Sequence, residues 1–272
     1  MTQRMRKIQA VHSSKQLEVK YRRELDALLR YMLNIALDEL REPEKVNDAL
    51  PDYFKSLTAK MNRIFDKLDA IDLSMFANLI ASRVVNTANN ANKERFNRQA
   101  SKTFGIDLKG ALSSSGKAVQ DQLAIDRELN ASLIKSVATE FKQQISETIM
   151  TNVQSGKRST DLITQIKERY NVSQSRAKLI ARDQTSKLNG SLVKARAQAV
   201  GSKTYIWSSV GDERTRESHR VLNGMLCKMS DDTVYSDDNG ETWKSRRSIG
   251  AFIGEPTEDY QCRCAILPVV EF

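Results

Sequence analysis

No glycine occurs in the first hundred residues, and no proline lies between Pro51 and Pro256. These two residue types disfavour a helix interior most, by roughly 1 and 3 kcal/mol relative to alanine. Their joint absence permits long helices, and the apolar spacing uses that permission. Leu17, Tyr21, Leu25, Leu28, Met32 and Ile35 recur at three- and four-residue steps and predict a helix over about 15–41, stopped by Pro43. A second helix follows Pro51, which suits a first-turn position. Its stripe of Phe54, Leu57, Met61, Ile64, Leu68 and Ile71 has coiled-coil-like spacing. A third helix, over roughly 74–100, carries Phe76, Ile80, Val84 and Ala88 before the chain turns asparagine-rich. The stretch 101–116, with three glycines and a serine run, is the best linker candidate before residue 200. A fourth helix is predicted over about 118–153, with Gly156 as a break. Ser159 or Thr160 is then expected to cap a short helix through Tyr170, and Ser173 a further one from Gln174 to Ala199.

After Gly201 the pattern changes. Tyr205-Ile206-Trp207 reads as a strand start. Asp237-Asp238-Asn239-Gly240 reads as a tight hairpin turn between Val234-Tyr235 and Thr242-Trp243. Cys264–Val270 reads as a last strand, its Pro268 implying an edge or a bulge. The expected fold is α+β: a long, predominantly helical N-terminal body followed by a small β-rich, loop-rich C-terminal module. The divisions are a helical region at 1–112, a central helical region at 113–203 and the module at 204–272.

Charge separates along the same line. Residues 204–272 hold eight Lys/Arg against twelve Asp/Glu, so the preceding 203 residues hold 35 of the 43 basic and 22 of the 34 acidic side chains. A basic helical part favours polyanions, nucleic acid first. Basic side chains that only solvate helix faces are the alternative, and no block of five or more of them forms a dedicated tail. No apolar run approaches the roughly 20 residues that span a bilayer, and the N-terminal residues lack the apolar stretch of a secretory signal. A soluble protein made in a reducing cytoplasm is expected, with thiols or metal thiolates in place of a disulfide framework.

Three groups of residues invite chemistry. Cys262 and Cys264 lie two apart, which on an extended chain turns both thiols to one face and Arg263 away. His219 with either Cys227 or Asp259 can complete a tetrahedral zinc site, and a small module gains stability from one structural zinc ion. Three reduced, partly buried cysteines and a hydrogen-bonded histidine are the alternative. Asp212, Arg214, Arg216 and His219 form a second group, read as an ion-pair knot that fixes a loop. With one histidine in the module and no activated nucleophile, no catalytic residue is assigned. The third group is helical: Arg182, Thr185 and Asn189 share a face, either docked on the module or solvated.

These residues carry a resemblance. Ala181-Arg182-Asp183-Gln184-Thr185 with Asn189, then Trp207-Ser-Ser-Val-Gly-Asp212-Glu-Arg214-Thr-Arg216-Glu-Ser-His219-Arg-Val-Leu-Asn-Gly224, then Pro256 and Cys262-Arg-Cys264 follow in order. Over about 155–268 the chain resembles the Mu F-like head morphogenesis (minor head) proteins of tailed bacteriophages. The resemblance implies a non-enzymatic minor capsid component in the virion, inside the capsid near the portal vertex. It implies contact with the portal, with major capsid or scaffolding protein and, without sequence preference, with packaged double-stranded DNA. An oligomeric arrangement on the portal and ejection with the genome belong to the same picture. Many members carry cysteines at the positions of Arg216 and His219 and a histidine at that of Asp259, a metal-binding pattern that survives here only as His219, Cys262 and Cys264. The rival functions are a metal-dependent nuclease built on His219 and a plain helical DNA-binding protein.

Overall fold

Five long helices precede most of a small sheet, and the sheet recruits one strand from the start of the chain. The computed structural model describes residues 6–42, 50–105, 116–155 and 159–270. Pro43, Gly156 and most of the expected linker (106–115) lie outside them. The helices are α1 (Lys15–Arg41), α2 (Leu50–Asp69), α3 (Leu73–Phe104), α4 (Lys117–Gln154) and α5 (Ser159–Ala199). The expected α+β class is the observed one.

By their contacts the residues group into two units. The first comprises Val19–Ser82 and Glu128–Ala181 and is helical throughout. Its core takes Tyr21, Leu25 and Met32 of α1, Ile64 and Leu68 of α2, Phe141 and Ile145 of α4, and Leu162 and Ile166 of α5, all essentially fully buried. Each such side chain contributes roughly 1.5–3 kcal/mol over its exposed state. Polar side chains within this core are paired. The Tyr21 hydroxyl donates to Asn130 at 2.7 Å, and the buried Glu39 accepts from Arg63 at 2.8 Å and from Lys67.

The expected break at Tyr170–Ser173 does not occur, and α5 runs uninterrupted for 41 residues. Ser173 does not cap; it is buried, and its hydroxyl donates to Gln144 Oε1 at 3.4 Å. On the neighbouring turns Tyr170 and Gln174 both donate to Asp26, at 2.6 and 2.8 Å. Long-range partners thus hold the polar residues that, read locally, favour a cap.

The second unit joins Met1–Glu18, Arg83–Arg127 and Arg182–Phe272. Its six-stranded antiparallel sheet has β1 (Arg6–Lys7), β2 (Thr204–Ser208), β3 (Leu226–Lys228), β4 (Val234–Ser236), β5 (Lys244–Ser245) and β6 (Ala265–Val270) in the order β1-β6-β2-β3-β4-β5. Tyr205 and Trp207 point into a core that includes Ile8 and Val11, Phe96 and Ala100 of α3, and Val193 and Ala197 of α5. The module therefore shares its core with the helices and with the N-terminal residues.

Two local expectations change. β6 is not an edge, because β1 pairs beside it. Pro268 is accommodated since its carbonyl accepts from Ile8 N at 2.8 Å, so its missing donor faces the end of the two-residue β1 ladder and not β2. The Asn239-Gly240 turn exists, with φ of 59° and 96°, but the returning strand begins at Lys244 and not at Thr242. Asp238 draws Thr242 into the loop by accepting from its backbone N–H at 2.9 Å and from its hydroxyl. Ser236 Oγ accepts from Gly240 N at 2.8 Å.

Candidate metal centre

The C-terminal half of α5 carries the module on a face of small and polar side chains. Asp183 accepts from Gln261 N at 2.7 Å, Ser186 donates to the Cys262 carbonyl at 3.1 Å, and Asn189 donates to the Val11 carbonyl and accepts from Asn92 at 2.9 Å. Gly190 lets the 255–258 loop approach: a Cβ there would lie 2.0 Å from Thr257 Oγ1. Of the helical residues singled out from sequence, Thr185 is buried and Asn189 lies on this face, whereas Arg182 is exposed. Asp183, Ser186 and Gly190 carry the docking. Their signal was the small and polar residues at three- and four-residue steps from Asp183.

The loop after β2 is held by ion pairs, though not between the nearest partners. Asp212 accepts from Arg263 through both oxygens, at 2.7 Å for Nη1 and 2.5 Å for Nη2. Arg214 is 3.8 Å away and mostly exposed. The Arg263 guanidinium holds the Asp212 carboxyl down to about 2. Arg216 instead pairs with Asp259 at 3.2 Å and donates to the Tyr260 carbonyl at 2.9 Å. Gly224, at φ 84°, turns the chain back into β3, and its N–H donates to the Trp207 carbonyl at 2.8 Å.

This frame seats His219 on a single helical turn, α6 (Glu217–Arg220), where its ring is 2% exposed. The ring stands edge-on to Trp207, with centroids 5.6 Å apart, and Phe252 packs on it at 4.8 Å. Its Nδ1 faces Cys262 Sγ at 3.5 Å and Cys264 Sγ at 3.4 Å, while Nε2 lies 3.1 Å from Asp259 Oδ2. The two thiols behave as a pair. The hydrogen bond from Cys264, and then that with His219, holds Cys262 well below the usual thiol range. The same Cys262–Cys264 bond and burial push Cys264 up.

Nδ1 and the two sulfurs lie within 4.8 Å of one another and all three residues are buried. For a tetrahedral zinc with Zn–N of about 2.0 Å and Zn–S of about 2.3 Å, the N···S edge is about 3.5 Å. The observed 3.4 and 3.5 Å separations match that edge. His219, Cys262 and Cys264 therefore fit a zinc-type ion, which would take up both sulfurs as thiolates and cross-link α6 to the segment entering β6. The two expected fourth ligands are not in the group. Asp259 sits on the other ring nitrogen, the position of an outer partner that orients a ligating histidine. Cys227, fully buried on β3, lies in the core near Tyr205 and Arg246, and burial pushes its thiol up.

A small antiparallel sheet backed by long helices, with a buried imidazole–dithiol cluster locking its loops, defines the class of this protein. Residues 143–267, a little under half of the chain, match the family described as Phage Mu protein F like protein. The matched stretch starts within α4 and ends within β6, so it takes in all of α5, the ion-paired loop and the cluster. The match carries the bacteriophage and head-morphogenesis reading. The chain is also 30% identical, over 98% of its length, to an uncharacterized protein of Haemophilus influenzae. It spans little more than half of that relative, 56%. No solved structure matches the chain.

Proposed function

We propose that the chain is a minor capsid protein of a tailed bacteriophage. It would join the portal during head assembly, contact packaged DNA through its helical part and leave the capsid with the genome. The observation that carries this reading is the coincidence of the family match with the docked α5–module assembly. The side chains that most resemble a catalytic set are the ones that hold loops together. His219 has both ring nitrogens engaged, and the cavity beside it measures about 20 Å³. A cavity of that size has room for about one water molecule, which favours a scaffold over a nuclease. Among the described residues no helix is long and apolar enough to cross a membrane.

Co-expression with the portal encoded in the same genome, followed by size-exclusion chromatography, tests the role. Co-elution is expected, and migration as two separate species counts against portal association. A plasmid-nicking assay with divalent metal separates the nuclease reading, because turnover abolished by His219→Ala would replace the scaffold assignment.

A further inference from the structure

We infer that the His219–Cys262–Cys264 centre is open at its fourth position and takes a small exogenous ligand there, solvent at rest and a small anion in competition. This rests on the metal reading above and goes beyond it. Structural zinc sites are closed by four protein ligands. Among the described residues no fourth histidine, cysteine or carboxylate joins these three.

What borders the three donors is a cavity of about 20 Å³ whose lining includes His219, Cys262 and Cys264 together with Arg214, Arg216 and Arg263. A void needs roughly 10–15 Å³ to hold one water, together with polar partners, and this one meets both conditions. That volume suits a ligand about the size of one water. The charge around it selects the ligand's sign. Arg263 is matched by Asp212 and Arg216 by Asp259, whereas Arg214 stands 3.8 Å from an Asp212 already engaged by Arg263. Three guanidinium groups thus face two carboxylates. Apart from His219 and the two thiols, the basic and acidic side chains that line the cavity itself are all guanidinium groups, which favours an anion.

The test uses the full-length protein loaded with Co²⁺ as a spectroscopic stand-in for zinc. One equivalent of cobalt is expected to bind with a thiolate charge-transfer band. Azide should then shift the visible cobalt bands saturably, with protein folding unchanged by circular dichroism. Cys227→Ser, which leaves the three donors intact, should show the same spectrum and the same azide response. Cobalt bands that do not respond to azide would overturn the open position while leaving the metal reading in place. A spectrum altered by Cys227→Ser would overturn it as well, by making Cys227 the fourth ligand. A failure to bind cobalt at all overturns both.

Discussion

Asp259 would matter to a metal at this centre without touching it. Its carboxylate is 3.1 Å from His219 Nε2 and 3.2 Å from Arg216, so it fixes the ring that presents Nδ1 to the sulfurs. Removing such an outer partner typically weakens metal affinity about 10–100-fold. Asp259→Asn is expected to bind one equivalent of zinc with affinity lowered in that range, as read by competition with a chromogenic chelator. Unchanged affinity would assign Asp259 to the loop alone. Asp212 makes a separate prediction, in pH. Its carboxyl is held down to about 2 by Arg263, so its folded-state value lies below the unfolded value of about 3.9. A depressed carboxyl adds stability that is complete above the unfolded value and is lost as pH falls through the folded one. The difference in melting temperature between the wild type and Asp212→Asn should therefore be constant above about pH 5, shrink as pH falls through about 2 and vanish by about pH 1. A difference undiminished at about pH 1 would assign the effect of Asp212 to something other than its charge. At this scale the sequence was legible where partners are neighbours: Cys262 and Cys264 converge, and Arg263 points away from them to Asp212. It was not legible for Asp212 itself, because its partner lies 51 residues along the chain and the nearer Arg214 and Arg216 compete on paper.

Helices α1, α2, α3 and α4 were readable because apolar periodicity over many turns outweighs any single residue. What misled at Tyr170–Ser173 was a local cap signal with distant competitors, Asp26 and Gln144, that no local pattern contains. Strand β1 is two residues long and has no periodicity to detect; only the pairing with β6 reveals it. The face of α5 that docks the module turns on Gly190. In a helix, glycine is about 1 kcal/mol worse than alanine, so local propensity predicts that Gly190→Ala stabilises. The structure predicts the opposite sign, since the new methyl would lie 2.0 Å from Thr257 Oγ1 and 3.2 Å from the Pro256 carbonyl. Overpacking of this kind costs about 1–3 kcal/mol, measurable as a lowered urea midpoint. Thr257→Gly in the same chain should recover part of the loss, because it removes the struck hydroxyl and also suits the φ of 81° at that position. A stabilised Gly190→Ala variant would mean that α5 and the 255–258 loop do not meet as described.

On the scale of the whole molecule, charge and fold divide differently. The excess of basic residues follows the chain, with 35 of 43 before residue 204, whereas the compact units draw on separated stretches of it. Both units therefore contain helical segments from the basic part, and the acidic module belongs wholly to one of them. A basic excess of this kind would attract phosphate without reading bases, because such affinity comes from releasing counterions and not from hydrogen bonds in a groove. Each phosphate neutralised contributes about 0.9 to the slope of log affinity against log salt. Three such contacts would lower the affinity for duplex DNA roughly 40-fold between 50 and 200 mM salt. Fluorescence anisotropy with two duplexes of equal length and unrelated sequence is expected to give superimposable curves and that steep salt dependence. An affinity that is flat in salt would remove packaged DNA from the set of partners. A marked preference for one sequence would point instead to a dedicated base-reading surface, which a minor capsid protein that meets the whole genome does not require.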